Sequence, residues 1–146
     1  MTARVWWLHD LIRLEIVLWE HVDARLKRDH DLPLSSYETL LAVAGGGEIR
    51  IGDLARELRI TIGGASKLAD RVRAAGLIER TVDPADRRAS LITTTPLGRA
   101  QLAAATVSYD AAVGEILDGV LNDDEQRSMH DMVRRLLAES AQRLHS

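Results

Sequence analysis

Cysteine is absent from this sequence, which rules out disulfides, thiolate metal sites and thiol-based redox sensing. Long apolar runs are absent too. Nothing approaches the roughly eighteen residues that a membrane span needs, and the start of the chain lacks a basic segment followed by an apolar core and a cleavage site. A cytoplasmic, soluble protein is expected. An overall positive charge is also missing: 19 Lys and Arg face 22 Asp and Glu, giving a net charge of -3. Taken alone, that balance speaks against nucleic acid, so the distribution of charge has to decide.

Motifs for catalysis and metal binding are equally scarce. The histidines His9, His21, His30, His130 and His145 include no pair at the i, i+4 spacing of a helical metal site. The triple glycine Gly45–Gly47 is not followed by the Lys-Ser or Lys-Thr of a phosphate-binding loop, so it reads as a connector. No Ser, His and Asp fall into a nucleophile motif. Neither an enzyme nor a cofactor is expected.

What is present is enough apolar sequence for a core. With 146 residues and 46% hydrophobic content, the chain suits one compact domain. Its most informative stretch is ITIGGASKLADRVRAAGLIER, from Ile60 to Arg80. Thr61 is a suitable N-cap, Gly76 stands where a glycine would stop the helix, and Ala65, Leu68, Ala69 and Val72 recur as a buried stripe. The opposite face carries Ser66, Lys67, Asp70, Arg71 and Arg73. Just upstream, IGDLARELRI predicts a short helix with Leu54, Ala55 and Leu58 inward, giving a helix-turn-helix pattern. Downstream, Leu77 to Val82 and Ala89 to Thr94 are β-prone runs flanking DPADRR, and they predict a hairpin with Arg87 and Arg88 at its tip. Charge follows the same boundary: residues 50–90 hold nine Lys and Arg against six Asp and Glu, a local +3, and the remainder carries -6.

In IGDLARELRI, in LADRVRAAGLIER and most specifically in DPADRRASLITTTPLGRA, the chain resembles the MarR family of winged helix-turn-helix transcription regulators, over nearly its whole length. That family's wing pattern is Asp-x-Arg, five residues, Leu-Thr, two residues, Gly. Asp86, Arg88, Thr95 and Gly98 match it, while Thr94 stands where Leu is usual. The fold class expected is therefore mainly α with a small β-hairpin wing, with a reading head over about 34–94 and dimerisation helices over about 2–29 and 95–146.

The remaining segments fit that order. Thr2 to about Arg28 predicts one long helix with too many apolar residues, Val5, Trp6, Leu8, Ile12, Trp19, Val22 and Leu26 among them, for a single stripe. A helix buried on more than one side packs either into the chain's own core or against a second subunit, and the resemblance implies the second. Asp29 to Pro33 reads as a turn, and Ser35 with Glu38 as a capping box opening the next helix. Thr95 and Pro96 begin a helix running to about Val120. Asn122 caps the last helix, whose apolar face includes Met129, Met132, Val133, Leu136, Leu137 and Leu144.

The DNA-binding residues expected are Thr61, Gly63, Gly64, Ser66, Lys67 and Arg71 in the major groove and Arg87 and Arg88 in the minor groove, with Asp86 orienting an arginine. The resemblance implies Ser or Thr side chains where Gly63 and Gly64 stand, so the two glycines either let the backbone approach DNA closely or make no contact. Trp19, Tyr37 and Tyr109 read first as core aromatics, and they are also the aromatics available to a ligand pocket, where the resemblance implies an aromatic or phenolic effector. The partners expected are double-stranded DNA and a second copy of the chain. A helical module that binds small molecules or proteins without touching DNA is the alternative.

Overall fold

The computed structural model describes residues 1–143, so Leu144 and His145 lie outside the described residues. Six helices and a small sheet make up the fold, in the order α1 (Ala3–His30), α2 (Leu34–Gly46), β1 (Ile49–Arg50), α3 (Ile51–Leu58), α4 (Ile62–Ala74), β2 (Ile78–Asp83), β3 (Asp86–Thr94), α5 (Pro96–Leu117) and α6 (Asp123–Arg143). The expected helical winged architecture is present, with one addition. β1 pairs antiparallel with β3 (Ile49 opposite Ile92, Arg50 opposite Leu91), so the wing is a three-stranded sheet ordered β1-β3-β2.

Two boundaries differ from expectation for electrostatic reasons. Helix α1 continues through Asp29, because that carboxylate pairs with Arg25 one turn earlier (2.8 Å) and with Arg28. The chain reverses only at Asp31, in the left-handed region at φ 50°, whose N–H donates to the Lys27 carbonyl. The Ser35–Glu38 capping box does not form. α2 begins at Leu34 with Pro33 as N-cap, and the Leu34 N–H donates to Asp23 Oδ1 on α1 at 2.9 Å. An acid from the preceding helix thus satisfies one of the donors left open at the start of α2, where Pro33 has no side-chain acceptor of its own. Glu38 turns instead toward α5.

The core gathers where α2, α3 and α4 meet the sheet and the end of α1. Leu26 from α1, Leu40 and Val43 from α2, Leu54 from α3, Val72 from α4 and Ile78 and Ile92 from the sheet are all buried to within 2% of full enclosure. Each large side chain so enclosed is worth about 1.5–3 kcal/mol of transfer free energy. Ala65 and Ala69 are the buried side chains of α4 facing this core with Val72, and their size lets the helix lie close to its neighbours. Ala105 and Ala112 do the same for α5.

The terminal helices are different. In α1 only Val22 and Leu26 are buried, and Trp6 and Trp7 are 53% and 58% exposed, alongside Leu8, Ile12 and Val17. No described residue of α6 is buried, and Met132, Val133, Leu136 and Leu137 are all exposed. Two long apolar helix faces therefore lie open on a single chain. Among the described residues, no helix is long and apolar enough to cross a membrane.

Candidate nucleic-acid interface

Helix α4 starts as its sequence dictates. The Thr61 hydroxyl accepts the Gly64 N–H at 3.0 Å, satisfying one of the donors a helix leaves open at its N-terminus. The turn before it is made by Arg59, held at φ 55° with its N–H donating to the Ala55 and Arg56 carbonyls, which closes α3 and redirects the chain into α4. With Ala65, Ala69 and Val72 turned inward, Lys67, Asp70, Arg71 and Arg73 are exposed on the outside and Ser66 is half-buried. Gly76, at φ 79°, then turns the chain from α4 into β2.

The two glycines of the first turn are not equivalent. A Cβ at Gly63 would meet nothing within 4 Å, whereas one at Gly64 would lie 3.2 Å from the Thr61 hydroxyl and 3.7 Å from Ile60 Cδ1. Gly64 is therefore committed to the cap and its neighbour. Gly63, exposed, is the one with open space before it.

The wing corrects one expectation. Its tip is Pro84–Ala85, and Arg87 and Arg88 lie along β3 as exposed strand residues. Proline and the Asp83 carboxylate fix the turn there, since Asp83 Oδ1 accepts the Ala85 N–H at 2.9 Å. Asp86 Oδ1 accepts the backbone N–H of Arg88 at 3.0 Å, so it orders that residue through its main chain rather than through the guanidinium. Asp83, which sequence reasoning did not single out, is buried and ion-paired at 2.5 Å with Arg50 of β1. The Ala85 N–H first and the Arg50 guanidinium after it hold the Asp83 carboxyl below its usual range. Where the wing pattern has Thr94 in place of leucine, Ile92 two residues earlier is fully enclosed and anchors the strand to the core.

Ion pairing divides the basic side chains of this region into two sets. Arg50 is paired with Asp83, Arg56 with Asp53, and Arg80 with Asp70 at 3.0 Å, the last tying β2 to the outer face of α4. Arg59, Lys67, Arg71, Arg73, Arg87 and Arg88 are exposed and form no ion pair among the described residues. Six unneutralised cations thus span the turn, the outer face of α4 and β3. A polyanion laid across them would neutralise charges left unpaired among the described residues.

The three aromatics proposed for a pocket are split by the structure. Trp19 and Tyr109 line a cavity of about 770 Å³ between α1, α5 and α6. Tyr37 does not line it; it is buried, its ring 4.8 Å from that of Tyr109, with its hydroxyl 2.8 Å from Thr106 Oγ1. Behind Tyr109 lies Glu38, whose Oε1 accepts the phenol at 3.1 Å. Burial pushes the Glu38 carboxyl up, an effect the Tyr109 hydrogen bond partly offsets; burial, and next the charge of Glu38, push the Tyr109 phenol up. This α2–α5 contact went unnoticed in the sequence because its partners are 71 residues apart.

Comparison with known proteins agrees with this geometry. The MarR family model matches residues 30–89, the segment holding the helix pair and most of the wing. A transcriptional regulator of the helix-turn-helix type from Bacillus subtilis, YxaD, is 37% identical over 84 residues; the match takes in 58% of this chain and 59% of that protein, less than two thirds of its length. A MarR-family regulator from Rhodococcus sp. RHA1 superposes with a TM-score of 0.85 at 25% identity, over 93% of this chain and 95% of its own. Sco3205, a MarR-family regulator from Streptomyces coelicolor solved in complex with DNA, superposes with a TM-score of 0.82 at 26% identity, over 96% of this chain and 89% of its own.

Proposed function

We propose that the chain is a DNA-binding transcription regulator of the MarR family, which acts as a homodimer on a pseudo-palindromic operator and represses transcription until a small molecule alters the spacing of its two reading heads. The observation that carries this reading is the set of six unpaired, exposed cations on the turn, α4 and β3. Lys67, Ser66 and Arg71 on α4 face base edges in the major groove, with the open backbone at Gly63 nearest the groove and Thr61 and Gly64 closing the helix start behind it. Arg87 and Arg88 lie along the minor groove, with Asp86 holding the backbone of Arg88. The open apolar faces of α1 and α6 outside the cavity between α1, α5 and α6, with Val5, Trp6, Leu8 and Ile12 on α1 and Met132, Leu136 and Leu137 on α6, supply the surface that a second copy covers. The cavity lined by Trp19 and Tyr109, backed by Tyr37, is the effector site, since Leu34 at the start of α2 lines it together with residues of the dimerisation helices.

The test is fluorescence anisotropy with the DNA upstream of the protein's own coding sequence. Each phosphate contact should add about 0.9 to the slope of log affinity against log salt, so binding should fall steeply from low to moderate salt. Arg88→Ala should weaken binding and relax preference at the edges of each half-site, and Lys67→Ala should change preference inside it. Affinity that stays flat with salt, or two variants that bind as the parent does, would reject the assignment.

A further inference from the structure

We propose that the cavity between α1, α5 and α6 takes an aromatic organic cation rather than an aromatic acid. The inference rests on the effector-site reading above and gives that site a ligand class. Trp19 and Tyr109 put two aromatic rings in the wall, that of Tyr109 lying 4.8 Å from the Tyr37 ring, and the rest of the wall is mostly aliphatic. Among the side chains that line it are two carboxylates, Glu15 on α1 and Asp110 on α5, and no Lys or Arg. Neither carboxylate is ion-paired among the described residues.

The neutral polar groups point the same way. The Tyr109 hydroxyl donates its proton to Glu38, and Thr106 donates its own to the Leu102 carbonyl at 2.7 Å, which leaves the Tyr37 hydroxyl to donate to Thr106. Both lining hydroxyls have therefore given their protons to the protein and present only lone pairs to a ligand. The side-chain donors left are the Trp19 indole N–H and the His130 ring. A carboxylate ligand would meet two like charges and little to bind its oxygens. A cation would meet two carboxylates and two aromatic rings, the combination that attracts a weakly hydrated organic cation. A volume of about 770 Å³ lies within the range of small-molecule sites.

The probes are tetraphenylphosphonium and tetraphenylborate, ions of closely matched shape and opposite charge, titrated calorimetrically into the full chain without DNA. The phosphonium should bind at least about tenfold more tightly than the borate. The double variant Glu15→Gln/Asp110→Asn should bring the two within about threefold of each other, and each single variant should give part of that loss should the double variant melt early. Equal or tighter binding of the borate, a preference unchanged in the variants, or binding of neither ion would overturn the proposal. DNA binding is measured separately on the same protein. A chain that binds the phosphonium yet ignores DNA would sink the regulator reading and leave the cavity assignment standing; one that binds DNA and neither ion would do the reverse.

Discussion

Replacing Gly98 by alanine tests the joint where the wing returns to the helices. Gly98 is the third residue of α5 and is buried, and a Cβ built on it would lie 1.9 Å from the Leu77 carbonyl oxygen and 2.9 Å from the carbonyl carbon. That oxygen cannot swing aside freely, because it accepts the Thr95 N–H at 3.0 Å. The helix cannot simply withdraw either, since the Thr95 hydroxyl accepts the Gly98 N–H at 2.9 Å while donating to the Gly76 carbonyl at 2.7 Å. Relieving the overlap needs a backbone shift of more than about an ångström, with the strain of overpacking, about 1–3 kcal/mol, and weakening of an N-cap worth about 0.5–2 kcal/mol. The lower unfolded-state entropy of alanine returns about 0.4–1 kcal/mol. The net loss is about 0.5–4.5 kcal/mol, with a midpoint near 2.5, which for a chain of this size lowers Tm by roughly 2–15 °C. Thermal unfolding by circular dichroism measures it, with Gly63→Ala as the control, because nothing lies within 4 Å of a Cβ there. A Gly98→Ala protein melting within a degree of the parent, or a Gly63→Ala protein that loses as much, would refute the reasoning.

Three further outcomes follow from the same structure. Glu38→Gln should raise Tm at neutral pH: burial lifts the folded-state pKa of Glu38 above its ordinary value of 4.5, so the stability of its neutral form is full below 4.5 and is lost as pH rises through the raised value. Parent and variant should converge below pH 4.5, and a Tm difference constant across pH would contradict this account. Deleting Thr2 to Leu14 removes most of the exposed apolar surface of α1 and should leave a monomer or an aggregate by light scattering, whereas a well-behaved dimer that still binds DNA would place the interface elsewhere. Gly63→Ala, harmless to stability, should weaken DNA binding where the helix backbone approaches the groove, while Gly64→Ala should act mainly on the Thr61 cap; unchanged affinity for Gly63→Ala would leave that turn a non-contacting one.

Features held together within a few residues were legible in the sequence. Thr61 before α4, Thr95 with Pro96 before α5, and the reciprocal Asn122–Glu125 hydrogen bonds before α6 all stand where local capping chemistry puts them. The Ser35–Glu38 pair satisfies the same local pattern and fails, because Asp23 on α1 supplies the capping oxygen and Tyr109 on α5 attracts Glu38. Both competitors are distant in sequence. β1 was invisible for another reason: two residues carry no period, and only their pairing with β3 makes them a strand. The hairpin was foreseen, but its tip was displaced from the arginines to Pro84–Ala85 by Asp83, whose part depends on Arg50, 33 residues earlier. The basic character of the head was countable from the sequence. Which cations are free was not, since pairing is a property of the folded arrangement.

The joint at Thr95 also bears on how such a chain can vary. Leu77 and Thr95 meet where the hairpin leaves and where it comes back, with Gly76 and Gly98 pinned beside them. The segment between is closed at its base, so residues added or deleted at Pro84–Ala85 are expected to change its reach while the base keeps its hold on α4 and α5. Wing length is thereby separable from helix placement, and insertions at the tip are a route by which the footprint on DNA can drift while the rest of the molecule stays as it is.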